Sequence, residues 1–226
     1  MIKAVRYEIK TNGTETCIQL YDETNTAIID QESYWDGDFF CYFTNITSLK
    51  GSPTVVKGDF TCTYSGINSL SGGPREVHGS FSCSNNNLGS LVGAPKVVGN
   101  NFICVASKLE SLVGAPRVVP GSFICSINRL TSLEHGPSEV GEDFFCDSNY
   151  LTSLKYSPVK VGKTFNCSYN RIYSLGGIPP HLGGDLMCSA NNLTSLEFLP
   201  EVSGSIRCWG NKFEDNDILS IVLGNM

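Results

Sequence analysis

The chain of 226 residues has a formal net charge of −6 and a hydrophobic content of 41%, enough for one substantial core. The acidic balance argues against a nucleic-acid groove and against docking on an anionic membrane, because both depend on clustered lysine and arginine. No apolar segment reaches the roughly twenty residues that a membrane-spanning helix needs.

The N-terminus contains no apolar run of the length typical of a secretory signal peptide. Without a signal, the expected compartment is the reducing cytosol, where the 10 cysteines stay as thiols. We therefore predict a cytoplasmic protein, in a bacterium or in an infected host cell.

Residues 1–35 precede a regular array of repeats and differ from it in pattern. Alternating apolar and charged residues over 5–10 indicate a half-buried strand, and the Asn-Gly pair at 12–13 is typical of a hairpin turn. Segments 17–21 and 27–29 are predicted as a returning strand and a third strand. We expect an N-terminal β cap, because an open solenoid end exposes core and strand edge. The alternative is an independent small module.

A column of cysteines with a fixed spacing organises the remainder of the chain. Each of the first eight follows the previous one by 21 residues, and the ninth follows after 20. These residues are Cys41, Cys62, Cys83, Cys104, Cys125, Cys146, Cys167, Cys188 and Cys208. A fixed period of this length is the signature of a solenoid, in which each repeat packs on its neighbours.

Other positions of the repeat keep their distance from the cysteine. An apolar residue stands two before it, phenylalanine in the first seven repeats, and a small polar residue, often asparagine, stands three after it. An apolar residue, a Ser-Leu pair, a proline and a final apolar residue follow. The apolar–x–Cys alternation predicts a short strand with both residues facing inward. The asparagine amide is expected to satisfy backbone groups at the bend, and the proline favours an extended, irregular return path.

The last stretch changes character. Acidic and capping residues at 214–217 precede a mostly apolar run at 218–223 and then Gly224, which is typical of a short helix with its stop. The predicted organisation is an N-terminal β cap over 1–35, about nine repeats over 36–209, and a C-terminal cap with this helix over 210–226.

The repeat resembles a known pattern. Phe-x-Cys-x-x-Asn-x-Leu-x-Ser-Leu, carried with isoleucine at the Leu position by 165–175, is similar to the leucine-rich-repeat signature. The following Pro-x-x-Val resembles short bacterial repeats of secreted ubiquitin-ligase effectors, and more closely the Cys- and Gly-rich repeats of bacteriophage and bacterial leucine-rich-repeat-like proteins. The resemblance covers roughly 36–213 and implies a right-handed, curved solenoid with a parallel sheet on its concave face. Cysteine in place of the second strand leucine departs from that family's pattern.

No catalytic or metal-binding constellation is evident. The cysteines form no C-x-x-C pair, and the three histidines fall near no paired cysteines, so we interpret the column as small hydrophobes and not as zinc ligands. No P-loop, nucleophile elbow or H-E-x-x-H motif occurs. We expect no enzymatic activity, no cofactor and no metal.

The residues that the repeat leaves free indicate a binding face. Positions one before and one after each cysteine are expected to face solvent, and several of these and their neighbours are apolar or aromatic. Such residues, rimmed by a carboxylate column three before the cysteine, are typical of protein interfaces. The predicted partner-binding residues are Phe40, Tyr42, Phe43, Tyr64, Ile103, Val105, Ile124, Ile127, Phe145, Asp147, Tyr169, Met187 and Trp209.

These patterns lead to a functional hypothesis. We expect a non-enzymatic solenoid that binds a host or phage protein, and the resemblance implies a phage-encoded protein that inhibits or triggers a bacterial defence factor. Mimicry of an anionic substrate by the acidic column is a special case. The alternative is a self-assembling structural protein whose apolar face is covered by a second copy. We expect Phe40 and Tyr42 of the first repeat to contribute more to binding than Phe145.

Overall fold

The computed structural model describes residues 1–12, 15–41 and 45–213. Across these ranges the chain consists of short strands, turns and bends, with no helix. The predicted C-terminal helix falls on residues 214–226 and lies outside the described residues, as does Gly13 of the predicted hairpin turn.

Nine parallel two-residue strands form one sheet, which we call the front sheet. In chain order they are Phe39–Phe40, Phe60–Thr61, Phe81–Ser82, Phe102–Ile103, Phe123–Ile124, Phe144–Phe145, Phe165–Asn166, Leu186–Met187 and Ile206–Arg207. Each strand pairs with the equivalent residues of the next turn, so the register follows the sequence repeat. The prediction of a parallel solenoid with a repeat of about 21 residues is confirmed.

The opposite side of each turn also carries a strand, and these strands form two parallel back sheets. The first contains Ile2–Ala4, Ser33–Trp35, Val55–Val56, Glu76–Val77 and Val97–Val98. The second contains Val118–Val119, Glu139–Val140, Lys160–Val161, His181–Leu182 and Glu201–Val202. The return path is therefore more regular than the proline pattern predicts, because the apolar residue after most of the prolines is buried and pairs with its equivalents within each back sheet.

A single proline accounts for the division between the two back sheets. The residue after each back strand donates its N–H to the previous turn, as Gly99 does to Val77 and Gly141 does to Val119. The equivalent residue between them is Pro120, which has no N–H to donate to Val98. The ladder is interrupted at that turn, although the buried Val119 keeps its place in the core.

The core consists of continuous columns, one for each inward position of the repeat. The column of seven phenylalanines before the cysteines is fully buried, and the ring centroids of successive members lie 5.1 to 5.9 Å apart. The column cysteines, the two leucine or isoleucine positions and the back-strand valines fill the remaining interior. Stacked aromatic pairs at this spacing add to the free energy of apolar burial.

The predicted role of the asparagines at the bend is confirmed. Asn149 is buried, and its Nδ2 donates to the carbonyl oxygens of Cys125, Cys146 and Asp147 at 3.1 to 3.2 Å. Its Oδ1 accepts the N–H of Leu130 at 3.0 Å. One side chain therefore joins two consecutive turns through backbone groups that the bend leaves unpaired.

Serine replaces this asparagine in two of the turns and keeps one of its bonds. Ser107 is buried, and its Oγ donates to the carbonyl oxygen of Cys83 at 2.9 Å. The N–H of Ser107 is in turn bound by Oδ1 of Asn128 in the next turn. The hydrogen-bond column thus continues through the substituted turns, with fewer bonds at each of them.

The acidic column three residues before the cysteine is a second ladder between turns. Asp38 Oδ1 accepts the N–H of Asp59 at 2.8 Å, and Asp59 Oδ1 accepts the N–H of Ser80 at 2.6 Å. Asp143 and Asp185 accept the equivalent N–H groups of later turns. These carboxylates, which the sequence suggested as an acidic rim, each hold the backbone of the following turn.

The N-terminal segment forms a three-stranded antiparallel sheet that lies against the first turn. Its strands are Arg6–Asn12, Glu15–Tyr21 and Ala27–Ile28. The ring of Tyr7 lies 4.8 Å from that of Phe39, and Trp35 packs edge-on against the same ring at 5.1 Å. The backbone N–H of Ile18 donates to Lys50 of the first turn. The end of the phenylalanine column is thereby covered, while Ile2–Ala4 and Ser33–Trp35 extend the back sheet itself.

The asparagine column provides a stability prediction. We expect Asn149→Ala to lower the free energy of unfolding by about 3 kcal/mol, because three carbonyls and one N–H lose their buried partner. Asn149→Ser should lose only about half as much, since a serine hydroxyl reaches the same carbonyl in other turns. The measurement is urea denaturation.

The matched control is Asn87→Ala, because Asn87 is an exposed asparagine in the equivalent bend of another turn, and it should change the free energy by no more than about 0.5 kcal/mol. Equal losses for Asn149→Ala and Asn149→Ser would contradict the shared role of the two residue types.

Candidate functional site

Apolar side chains form a strip across the middle of the front sheet. Ile103, Ile124 and Phe145 occupy the outward position of three consecutive strands, and each pairs in register with the next. Adjacent parallel strands lie about 4.8 Å apart, so the three side chains are neighbours. All three are half-buried. We call these residues the front strip.

The position after each cysteine is less accessible than the sequence suggested. Ser84, Ser126, Ser168 and Ser189 are buried. Ser126 donates to Oδ1 of the half-buried Asp147, which also accepts from Asn166. The expectation of a solvent-facing column is therefore wrong at these serines, because their side chains are buried where the chain bends. The hydroxyls of Ser84 and Ser126 also form hydrogen bonds between turns.

Other members of this column do reach the surface. Val105 is half-buried beside the front strip, and Trp209 is exposed in the last described turn. The column is therefore mixed, with its apolar members in the middle and at the C-terminal end of the described array.

Residues two after the cysteine have a left-handed backbone conformation, which directs their side chains outward. Tyr64, Ile127 and Tyr169 have φ values of 52°, 59° and 56°, and each is more than half exposed. The N–H at this position donates to the next turn, as Ile127 does to Asp147. The backbone thus stays in the ladder while the side chain leaves the core.

Ile127 is the most unfavourable occupant of this position. A β-branched residue in the left-handed region is a genuine outlier, and that conformation costs an L-residue roughly 1–2 kcal/mol. Its side chain is 58% exposed, so little apolar burial offsets this cost. The left-handed conformation itself recurs at this position in other turns, so the unusual feature is the β-branched side chain that Ile127 places there.

A second aromatic group lies near the C-terminal end of the front sheet. The rings of Tyr169 and Trp209 meet edge to face with centroids 5.9 Å apart, and both are more than half exposed. With Met187 and Arg207 they line a cavity of about 190 Å³. Ser189 also lines it, and its buried hydroxyl has no hydrogen-bond partner within the described part of the chain.

The predicted aromatic cluster of the first two turns includes Phe40 and Tyr64, and both are exposed. Phe40 is 44% exposed, and its carbonyl oxygen accepts a hydrogen bond from Tyr7 Oη at 2.7 Å. Tyr64 is exposed on the neighbouring turn. Tyr42 and Phe43, which the sequence placed in the same cluster, lie outside the described residues.

Sequence reasoning missed the position four after the cysteine. Lys108, Arg129, Tyr150 and Arg171 occupy it in four consecutive turns, and all are exposed. The Arg171 guanidinium lies over the Tyr150 ring, 4.9 Å from its centroid. An open groove of about 490 Å³ is lined by residues of this column and by Ile127 and Tyr169. Tabulating each repeat position by charge would have found it, because no acidic residue occurs at this position.

The buried thiols are poor nucleophiles. Eight of the ten cysteines are buried, and all ten are free thiols. Burial raises the pKa of Cys62, Cys83, Cys104, Cys125, Cys146 and Cys167, and it raises that of Cys188 to about 12. A thiol held protonated in this way is neither an effective nucleophile nor a ready metal ligand. The interpretation of the column as small hydrophobes agrees with this chemistry.

Within residues 1–12, 15–41 and 45–213, no three His, Cys, Asp or Glu side chains come together in a way that could hold a metal ion. The same ranges contain no helix of the length and apolarity that crossing a bilayer requires.

Comparison with known proteins identifies no family for this chain. No protein-family model, curated protein or solved structure matches this chain.

Strain at Ile127 leads to a second prediction. We expect Ile127→Asn to raise the free energy of unfolding by about 1 kcal/mol, because asparagine tolerates the left-handed conformation and little burial is lost. Urea denaturation measures the change. The matched control is Ile124→Asn on the front strand of the same turn, where the half-buried side chain makes the same substitution destabilising. Destabilisation by Ile127→Asn would mean that its side chain packs more than its exposure indicates.

The buried thiols lead to a third prediction, on pH. In the unfolded chain a thiol ionises near pH 8.5, whereas the seven buried thiols with raised pKa stay protonated in the folded protein. Above that pH the unfolded state binds fewer protons, so stability is complete below about pH 8 and falls as the pH rises. Each such thiol contributes up to about 1.4 kcal/mol per pH unit.

The measurement is urea denaturation from pH 7 to 10 in the presence of a reductant. Cys104→Ala removes one buried thiol, so its stability should fall less steeply with pH than that of the native chain. A stability that does not change between pH 8 and 10 would contradict the buried, protonated column.

Proposed function

We propose that this protein is a non-enzymatic binding solenoid whose front sheet recognises a protein partner. The observation that supports this most directly is the front strip, in which Ile103, Ile124 and Phe145 lie side by side on three paired strands. Apolar side chains on a rigid, exposed sheet are a typical interface core. The exposed Ile127, Tyr169 and Trp209 extend the apolar area along the same side of the chain.

The architecture suits such a role. Each turn is held to its neighbours by backbone ladders and buried columns, so outward side chains are held on a rigid backbone and lose little freedom on binding. Aromatic anchors contribute most to interface energies, and this face has several. The proposal gives no residue a catalytic role and requires no cofactor.

The resemblance of the repeat to phage and bacterial leucine-rich-repeat-like proteins adds a biological setting to the proposal. In that setting the chain is phage-encoded, acts in the bacterial cytoplasm, and binds a host defence factor that it inhibits or triggers. The face used would correspond to the concave sheet of that family, and the partner is a protein, with neither nucleic acid nor membrane involved.

A fourth prediction tests the front strip. We expect Ile124→Asp combined with Phe145→Asp to abolish capture of specific partners from a bacterial lysate, because two buried carboxylates would enter the interface core. The matched control is Val97→Asp with Val118→Asp, which places the same charges on exposed valines of the back sheets. We call Ile124→Asp with Phe145→Asp the front variant. If it retains the same partners, the front strip is not the binding site.

The same binding assay also compares the first-turn aromatics with the front strip as the stronger contact. It tests the alternative function of self-assembly as well. The sequence predicts that Phe40→Ala with Tyr42→Ala weakens binding more than Phe145→Ala, and that order stays a prediction. Self-association through the front strip would appear in light scattering as a mass that rises with concentration and falls in the front variant. A stable monomer would contradict self-assembly.

A further inference from the structure

The groove beside the front strip indicates which kind of partner this face takes. We propose that it binds an extended acidic segment of the partner protein, with carboxylates at Arg129 and Arg171 and apolar side chains against Ile127 and Tyr150. The inference rests on the proposed function, since it names the chemical class of the partner for the same side of the solenoid. We call the site the basic groove, lined by Lys108, Ile127, Arg129, Tyr150 and Tyr169, with Arg171 stacked above Tyr150.

The shape of the basic groove suits a chain in extended conformation. Its volume is about 490 Å³, and its lining residues come from four consecutive turns of the solenoid. Successive turns are spaced by about 4.8 Å, so the groove runs for roughly 15 Å, the length of four or five extended residues. It meets the smaller cavity of about 190 Å³ at Tyr169, which lines both.

The charge of the groove is opposite to that of the molecule. The chain as a whole carries −6, yet the position four after the cysteine places Lys108, Arg129 and Arg171 at the groove and is acidic in no turn. The molecule as a whole carries net negative charge, whereas Lys108, Arg129 and Arg171 at this groove attract the carboxylates of an acidic segment. Charge complementarity therefore favours a carboxylate-bearing occupant.

The arginines are positioned to exchange their present contacts for a ligand. Arg129 lies 3.8 Å from Glu110, and both side chains are more than half exposed, so this ion pair contributes little in the unbound protein. The Arg171 guanidinium is stacked on Tyr150, which orients its donors without occupying them. A stacked guanidinium can bind a carboxylate through two parallel hydrogen bonds.

The opposite wall of the groove supplies apolar contact. Ile127 keeps a β-branched side chain at a left-handed position that alanine, asparagine or serine occupies in four other turns and tyrosine in two. Burial of this side chain by a bound segment would recover apolar free energy that the unbound protein lacks. The occupant therefore needs an aliphatic or aromatic residue close to its carboxylates.

A single-stranded nucleic acid is the less favoured occupant. It would find aromatic rings on which to stack, but it presents a phosphate at every nucleotide and needs a continuous basic track. Here the cations of the groove are interrupted by Tyr150, and the carboxylates of Asp147 and Asp185 lie in the loops that flank strands of the adjoining front sheet. A peptide with two or three carboxylates matches this limited number of cations.

The test is selection of 12-residue peptides from a random displayed library against the full chain at low ionic strength. We expect the selected peptides to be enriched in Asp or Glu next to an aliphatic or aromatic residue. A fluorescently labelled member should bind at least tenfold more weakly to Arg129→Gln with Arg171→Gln, and raised salt should weaken it similarly. The matched control is Arg117→Gln with Lys160→Gln, which removes two exposed cations on the back of the solenoid. Arg117 directly precedes a back strand and Lys160 begins one. This control should leave binding unchanged.

The outcomes separate this inference from the proposed function. Selected peptides that lack carboxylates but lose binding in the front variant Ile124→Asp with Phe145→Asp would support the binding face and overturn the acidic segment. A labelled 12-nucleotide single-stranded RNA that binds through the same two arginines more tightly than any selected peptide would also overturn it. Enrichment of carboxylates together with loss of binding in the arginine variant is the supporting result.

Discussion

Hydrogen bonding between equivalent residues of consecutive turns is the constraint on which this structure depends. Each front strand has only two residues, and no such strand is stable alone. The ladder continues beyond the strands through the bend, where asparagine and serine side chains bind the carbonyls of the preceding turn. The carboxylates before the strand bind the N–H groups of the following turn. Short strands therefore suffice, because side chains complete the pairing that the backbone leaves open.

The same constraint explains the choice of residues in the core. Equivalent side chains in consecutive turns lie about one strand spacing apart, so each inward position must accept a copy of itself on both sides. Phenylalanine satisfies this requirement by stacking, and cysteine by its small volume and apolar character. A charged residue at one of these positions would be buried without a partner, and its repetition in consecutive turns would add repulsion between like charges. The raised thiol pKa values are a consequence of this packing.

Outward positions are not constrained in this way, and their composition therefore carries the information on function. The front strip, the strained Ile127 and the basic groove all occupy positions that the repeat leaves variable from turn to turn. Their combination places apolar, aromatic and cationic side chains side by side on a rigid surface. A binding face built on a solenoid can change its partner by substitutions at these positions, with no effect on the ladders beneath them.

The amino-acid sequence by itself determined the period, the parallel stacking, the inward columns and the role of the asparagines. A pattern repeated about nine times reports the same local physics in each copy, so single-residue variation does not obscure it. The N-terminal strands also followed from their alternation and turn. Of the candidate site, the front strip was predictable from strand alternation alone.

Only the tertiary structure decided where the chain bends and what lies next to what across turns. The left-handed backbone at Ile127, the burial of Ser126 and the regular back strands depend on hydrogen bonds between turns, which no local pattern encodes. Arg171 reaches Tyr150 only because 21 residues of chain bring the two positions one turn apart. The basic groove is therefore a property of the stacked turns, and a single repeat contains no trace of it.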